Sequence, residues 1–151
     1  MRIPTCRIAG WIVLAAVVAA GCTEGQRPAP APAGPIIFHI TTRQAWAEAV
    51  RVGRYEPEDL RMYESIPCSV RSQVIGVANE FFKDRKGLVL LYIDSAKVRP
   101  EIRYVDMDGT TPIGPHIYGP LDVAAVVRVA DFTPQADGKF VMPPEVGGPK
   151  K

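Results

Sequence analysis

An uncharged apolar run near the N-terminus limits how much of this chain can fold into a globular domain. Arg2 and Arg7 precede this run, residues 8–20, and small residues lead from it into Cys22. A positive start, an apolar run and small residues before a cut are typical of a secretory signal peptide. As a helix, the run with Gly21 would span roughly 21 Å, whereas a bilayer core is about 30 Å thick. The length therefore favours a cleaved signal over a membrane span.

Cys22 separates a lipoprotein signal from an ordinary one. Ala19-Ala20-Gly21-Cys22 resembles the lipobox of bacterial lipoproteins, with Ala19 where Leu is usual. The resemblance implies that residues 1–21 are the signal and that Cys22 becomes the lipid-bearing first residue. It places the protein in the cell envelope, outside the cytoplasm, with the membrane as a partner through the lipid anchor. By resemblance to enterobacterial lipoproteins, Thr23, a residue other than Asp after the cysteine, implies the periplasmic leaflet of the outer membrane where there are two membranes. The alternative is ordinary cleavage nearby, with an incidental cysteine.

Composition divides the mature chain into a linker, one domain and a tail. Residues 22–35 are rich in Pro and Ala, which favours an extended tether. Residues 143–151 are rich in Pro, Gly and Lys and predict a flexible tail. Residues 36–142 remain, which is enough for one hydrophobic core but not for two. Cys68 is the one cysteine left in this domain, so we expect no intrachain disulfide and a buried thiol.

The charge of the mature protein argues against nucleic acid as a partner. The formal net charge of +2 includes the signal. Removing Arg2 and Arg7 leaves 16 Lys and Arg against 16 Asp and Glu, so the mature chain is neutral. Domains that bind nucleic acid usually carry a basic excess.

Hydrophobic periodicity predicts two helices in the N-terminal half of the domain and mainly strands after them. A capping box at Thr41 and Gln44 predicts the start of the first helix, and Gly53 its end. Ser69 is predicted to cap the second helix. Strands are predicted at 36–40, near 65–69, at 88–93 (apolar on both faces and so central), 101–106, 126–132 and 140–142, with one helical turn within 121–125. This order predicts a compact, single α+β domain with a mostly antiparallel sheet.

Several motifs of the domain resemble, in order, the small bacterial family catalogued as domain of unknown function 952. The motifs are Ile37-Phe38-His39-Ile40-Thr41-Thr42 with Trp46, Cys68-Ser69-Val70 through Gln73-Val74, Gly76-Val77-Ala78-Asn79, Phe81-Phe82, Leu88 to Asp94, Glu101-Ile102-Arg103-Tyr104 and Pro115-His116-Ile117-Tyr118-Gly119-Pro120-Leu121. The family is distantly similar to the ADP-ribosyltransferase and RNA 2′-phosphotransferase fold. That similarity implies a cleft for NAD, with His39 and Thr41 at the position that orients the nicotinamide ribose.

One position departs from the family pattern. The family's middle motif usually reads Phe-Ile-His-Cys-Ser, whereas this chain has Ser65-Ile66-Pro67-Cys68-Ser69. A proline side chain cannot transfer a proton, so Pro67 argues against chemistry that needs the family histidine. Whether the domain is an enzyme of the ADP-ribosyltransferase or 2′-phosphotransferase kind stays open.

Histidines supply the candidate catalytic groups, because imidazole titrates near neutral pH and can orient a ribose hydroxyl. His39 and His116 are the only two in the chain. The alternative is that each packs near the sheet and bonds locally. Two histidines and one cysteine without close spacing predict no metal site.

Four further residues are candidates for ligand contacts, each with a structural alternative. Thr41 follows His39 in the resemblance, and Ser69 begins a predicted helix whose N–H groups could meet an anion. Arg103 could clamp a phosphate or form a cross-strand ion pair. Tyr118 could stack on a base or pack as an amphipathic ring. Glu101 and Asp106 are candidate carboxylates near a ribose.

These observations favour a lipid-anchored envelope protein with a cleft for a nucleotide resembling NAD or ADP-ribose, and little or no transferase activity. The second hypothesis is a non-catalytic module that holds an envelope protein or a glycan. An active enzyme on a small nucleotide or modified RNA end is the third.

Overall fold

The structure, a computed structural model, describes residues 33–106 and 113–144. The signal peptide, Cys22, most of the linker and most of the tail lie outside the described residues. Those described belong to one compact unit, Ala31–Lys151. Within the described residues there are eight strands: β1 Ile36–Thr42, β2 Arg54–Tyr55, β3 Ile66–Pro67, β4 Leu88–Asp94, β5 Ile102–Val105, β6 Gly114–Ile117, β7 Leu121–Asp122 and β8 Val126–Phe132. The helices of the same residues are α1 Arg43–Val52, α2 Glu58–Tyr63 and α3 Val74–Phe81, with 3₁₀ turns at Ser95–Lys97 and Val123–Ala125.

The strands form three small sheets in which every pairing is antiparallel. The first has the order β1-β4-β8, the second pairs β2 with β7, and the third has the order β3-β6-β5. Together with helices in the N-terminal half, this confirms the predicted α+β class. The single sheet expected from the sequence is divided into three.

β4 is the centre of the hydrophobic core. All seven of its residues are buried, as expected for a strand that is apolar on both faces. Val89, Leu91 and Ile93 belong to one core cluster, which also contains Ala49 of α1. Leu90 and its neighbours on the other face belong to a second cluster with Val74 and Ala78 of α3, Phe132 and Phe140. The sheet therefore separates two apolar layers, one under each helix.

The cap of α1 lies one residue later than the sequence indicated. Thr41 still pairs with Val89 in β1, so the chain leaves the strand only after it. Thr42 is the cap, and its side chain accepts a hydrogen bond from the Ala45 N–H. Gly53 ends the helix as predicted, with a φ of 86° and its N–H bonded to the Ala49 carbonyl.

The predicted start of α3 at Ser69 is wrong. The backbone of Ser69 is paired with Phe38 and is therefore extended, so a turn intervenes before the helix begins at Val74. The strand predicted at 140–142 is also absent from the described residues. Phe140 instead donates its N–H to the Asn79 side chain and packs its ring 4.8 Å from that of Phe132.

A short helix, α2, lies between the first predicted helix and the strand predicted near 65–69, where no helix was predicted. Pro57 precedes it, and Glu58 and Asp59 occupy its first turn. This is a helix-start pattern, in which acidic side chains interact favourably with the helix dipole. Among the described residues, no helix has the length and hydrophobicity needed to cross a bilayer.

Truncation of Leu90 tests the central position of β4. Leu90 is fully buried, so we expect Leu90→Ala to lower the free energy of unfolding by about 2–5 kcal/mol through lost burial and a cavity. Val127 of β8 is 48% exposed, so Val127→Ala should change it by no more than about 0.5 kcal/mol. Urea denaturation followed by circular dichroism measures both. Equal losses for the two variants would contradict the assignment of the core.

Candidate functional site

A three-residue segment joins the first and third sheets and places the two histidines near each other. Ser69 exchanges two backbone hydrogen bonds with Phe38 of β1, at 2.8 and 2.9 Å. One residue earlier, Cys68 donates its N–H to the Pro115 carbonyl at 2.8 Å. Pro67 of β3 is the cross-strand partner of His116. The segment 67–69 therefore holds β1 beside β6.

A cleft of about 520 Å³ opens along this junction. His39, Ser69 and His116, which the sequence analysis singled out, all line it, together with Pro67. The wall from α3 and the turn before it carries residues at helical spacing, namely Gln73, Gly76, Val77, Glu80 and Phe81. The tertiary structure thus gathers residues from both halves of the domain around one concave surface.

The ring of His39 is fixed by two hydrogen bonds. Its Nδ1 lies 2.7 Å from the Pro67 carbonyl and its Nε2 lies 2.9 Å from the Tyr55 hydroxyl. A carbonyl only accepts, so Nδ1 carries a proton. In the neutral ring Nε2 then accepts from Tyr55. Thr41 Oγ1 lies 2.8 Å from the same phenol oxygen and completes this chain of hydrogen bonds.

Burial decides the protonation of this chain. Desolvation lowers the pKa of His39, against the smaller opposing effects of the Pro67 carbonyl and of Asp59. Burial also raises the pKa of Tyr55 to about 12. Both groups are therefore neutral near pH 7. Because both of its nitrogens are hydrogen-bonded within the protein, His39 lines the cleft without a nitrogen that is available to a ligand.

His116 differs from His39 in this respect. Its Nδ1 lies 3.2 Å from the hydroxyl of buried Ser65, and its side chain is only 7% exposed. Among the described residues Nε2 has no hydrogen-bond partner. Desolvation lowers the pKa of this ring as well. His116 is therefore the histidine with a nitrogen available to a ligand.

Arg103 and Tyr118 lie outside the set of described residues that line the cleft. Arg103 is directly opposite His116 in the β5–β6 pairing, so both side chains start from the same face of the sheet. The Arg103 guanidinium covers the Tyr118 ring at 4.6 Å and bonds to Glu101 at 2.6 Å. Arg103 thus forms its ion pair with Glu101, two residues earlier and just before β5, and not across the strands. Arg103 and Tyr118 therefore lie on the sheet face that carries His116, but beyond the edge of the cleft.

Two polar residues near the histidines were not predicted from the sequence. Asp59 of α2 lines the cleft and interacts electrostatically with both His39 and Tyr55. The acidic start of α2 after Pro57 was a usable signal for its placement. Tyr55 lies in a two-residue strand that has no recognisable pattern, so its role could only be found in three dimensions.

Cys68 lines the cleft but is not a reactive thiolate. It is 7% exposed, and burial raises the pKa of its thiol. The predicted buried thiol is confirmed. No group of three or more His, Cys, Asp or Glu side chains suited to a metal ion occurs in the described part of the chain.

Comparison with known proteins identifies the family. The model of the family described as "Protein of unknown function (DUF952)" matches residues 40–129, more than half of the chain. The chain belongs to this family. The match begins within β1 and ends within β8, and it includes most of the residues around the cleft. No curated protein matches the sequence.

The solved structures to which the chain is similar include those of the protein CC0527 from Caulobacter crescentus. Its crystal structure is 28% identical in sequence, with a TM-score of 0.63, and the match covers 70% of this chain and 93% of that one. Its solution NMR structure is 29% identical, with a TM-score of 0.62, and the match covers 70% and 90%. The DUF952 domain of this chain thus corresponds to nearly the whole of CC0527.

The buried histidines predict a loss of stability on mild acidification. Their pKa values are lowered in the fold, so below the ordinary value of 6.5 the unfolded chain binds more protons than the folded one. The free energy of unfolding should therefore fall between about pH 6.5 and pH 5, by at most about 1.4 kcal/mol per pH unit for each histidine. Urea denaturation at several pH values measures the slope.

The variant His39→Gln should reduce this slope while also lowering stability at neutral pH, since it disturbs the bonds to Pro67 and Tyr55. Glu48→Gln is the control. The Glu48 carboxyl is exposed, and its bond to Arg51 holds its pKa below the ordinary 4.5, so this change leaves the slope in the same window unaltered. A wild-type stability that is flat or rises on acidification would contradict the neutral state of the two rings.

Proposed function

We propose that this protein is lipid-anchored in the cell envelope and binds a nucleotide resembling NAD or ADP-ribose in the cleft between β1, β6 and α3. It has little or no transferase activity. The observation that carries the proposal is the cleft itself, which brings together His39, Ser69 and His116 and leaves one histidine nitrogen available for a ligand. Its volume lies within the usual range of about 300–1,000 Å³ for small-molecule sites.

The face that extends beyond the cleft supports a phosphate-bearing ligand. Arg103 is exposed, starts from the same face as His116 and is held over the Tyr118 ring. A guanidinium can bind phosphate oxygens with two parallel hydrogen bonds. We assign the ring and ribose of the ligand to the cleft and its phosphates to Arg103 at the rim.

Two features support binding without efficient transfer. Pro67 stands between the histidines, where the family pattern has an imidazole, and it supplies only a backbone carbonyl to His39. His39 in turn has no free nitrogen with which to move a proton. Glu101 is exposed and paired with Arg103, so it is not poised beside a ribose in the cleft.

Calorimetric titration of the mature protein with NAD and with ADP-ribose tests the nucleotide site. We expect binding of both, and we expect His116→Ala to weaken it about three- to tenfold, the contribution of one hydrogen bond. Val127→Ala, on the exposed side of β8, serves as the control and should bind as the wild type does. Thermal denaturation checks that each variant is folded at the temperature of the titration.

Absence of binding by the wild type at millimolar ligand would reject the nucleotide site. Crosslinking in cells then examines the alternative of an interaction module. One dominant protein partner, retained in a His116→Ala variant, would favour that alternative.

Substitution of Cys22 tests the lipid anchor. Each buried CH₂ of an acyl chain contributes about 0.8 kcal/mol, and two or more chains make attachment stable. We expect the wild type to enter the detergent phase on phase separation and Cys22→Ser to lose this behaviour. Cys6→Ser, within the signal, is the matched control and should behave as the wild type does. A Cys22→Ser protein that still enters the detergent phase, with the mass of a processed and acylated chain, would contradict the anchor.

A further inference from the structure

The face of α3 that lines the cleft has no side chain at Gly76; we call this gap the notch. Cleft-lining residues of this wall recur at the spacing of one helix face, and Gly76 lies between Gln73, three residues before it, and Glu80, four residues after it. The opposite face of the same helix carries buried Val74 and Ala78. Gly76 therefore lies on the face toward the cleft, in the middle of the wall, and has no side chain to fill it.

The fold does not require a glycine at this position. A Cβ added at Gly76 would meet no heavy atom within 4 Å beyond the adjacent residues and the backbone of its own helix, and the residue has no positive φ. Glycine inside a helix costs about 0.5–1 kcal/mol relative to alanine. A glycine that destabilises its helix and borders a cleft is well explained by close approach of a ligand to the backbone.

The surroundings of the notch restrict the chemistry of that ligand. The ionisable side chains of the described cleft lining are the two histidines, Cys68 and the carboxylates of Asp59 and Glu80, with no Lys or Arg among them. Phe38, Val77, Phe81 and Phe82 supply apolar surface. Since the lining offers no cation, a phosphate placed here would meet carboxylates and apolar groups. A flat heteroaromatic ring, uncharged or cationic, fits all of these neighbours.

A second, independent feature directs a polar ring toward this surface. His116 is more than nine-tenths buried, lines the same cleft and leaves Nε2 without a partner in the described residues. A ring that carries an amide or a ring nitrogen can satisfy this atom with one hydrogen bond. A single heteroaromatic ring can therefore make both the apolar contacts with the cleft wall and the hydrogen bond to His116 Nε2.

We infer that Gly76 is a binding residue that selects the ligand by shape: an uncharged or cationic heteroaromatic ring lies against the α3 backbone at Gly76 and bonds to His116 Nε2, while any phosphate stays outside the cleft. This rests on the nucleotide site proposed above and specifies which part of the ligand enters.

Gly76→Ala separates binding from stability. The added methyl group occupies the place of the ring, so we expect NAD affinity to fall about tenfold or more. At the same time the melting temperature should rise by a few degrees, because alanine favours the helix. The matched control is Ala47→Gly at an exposed position of α1, outside the cleft, which should lower the melting temperature and leave NAD affinity unchanged.

A ligand series tests the orientation in the same calorimetric experiment. Nicotinamide riboside should bind the wild type and lose affinity with Gly76→Ala, whereas ribose 5-phosphate should show no binding in the cleft. Wild-type binding of NAD that Gly76→Ala leaves intact would overturn the role of Gly76 while the nucleotide site stands. A lowered melting temperature for Gly76→Ala, or binding of ribose 5-phosphate but not of the riboside, would also overturn the inference. If wild type binds none of these compounds, the nucleotide site itself fails.

Discussion

The backbone pairing of residues 67–69 with two different strands is the constraint on which the site depends. Ser69 pairs with Phe38 of β1, and Cys68 bonds to Pro115 of β6, so one extended segment belongs to two sheets at once. Backbone hydrogen-bonding groups that are buried must find partners, and here they find them on both sides. This requirement fixes the separation of the sheets and thereby creates the cleft. The same extended geometry prevents Ser69 from starting a helix.

Burial divides the two histidines into different roles. Both rings are desolvated, and in both the pKa is lowered. The difference lies in the partners: His39 bonds to the Pro67 carbonyl and to Tyr55, whereas His116 bonds only through Nδ1 to Ser65 among the described residues. His39 therefore contributes to the architecture of the cleft, and His116 contributes a nitrogen, Nε2, that has no hydrogen-bond partner among the described residues. The two histidines therefore have different roles, although both are the same residue type.

The charges around the cleft differ in sign between its interior and the sheet face beyond it. Carboxylates of Asp59 and Glu80 border its interior, and the guanidinium of Arg103 lies farther along the same sheet face as His116. Where solvent is partly excluded, water screens charges less. Charged side chains there distinguish more strongly between anionic and cationic groups of a ligand. A ligand with a ring at one end and phosphates at the other matches this distribution in one orientation. The arrangement is compatible with family membership and with the similarity to CC0527, neither of which specifies a ligand.

By itself, the sequence determined those features that depend on neighbouring residues. The α+β class, the central buried strand at 88–93 and the end of α1 at Gly53 all follow from periodicity and local conformational preference, and the structure confirms them. Only the tertiary structure decided that Ser69 pairs with Phe38 instead of capping a helix, that Tyr55 holds His39, and that Arg103 and Tyr118 lie beyond the cleft lining. Each of these depends on hydrogen bonds or packing between residues far apart along the chain. The local sequence does not predict such partners, because burial and backbone pairing depend on the whole fold.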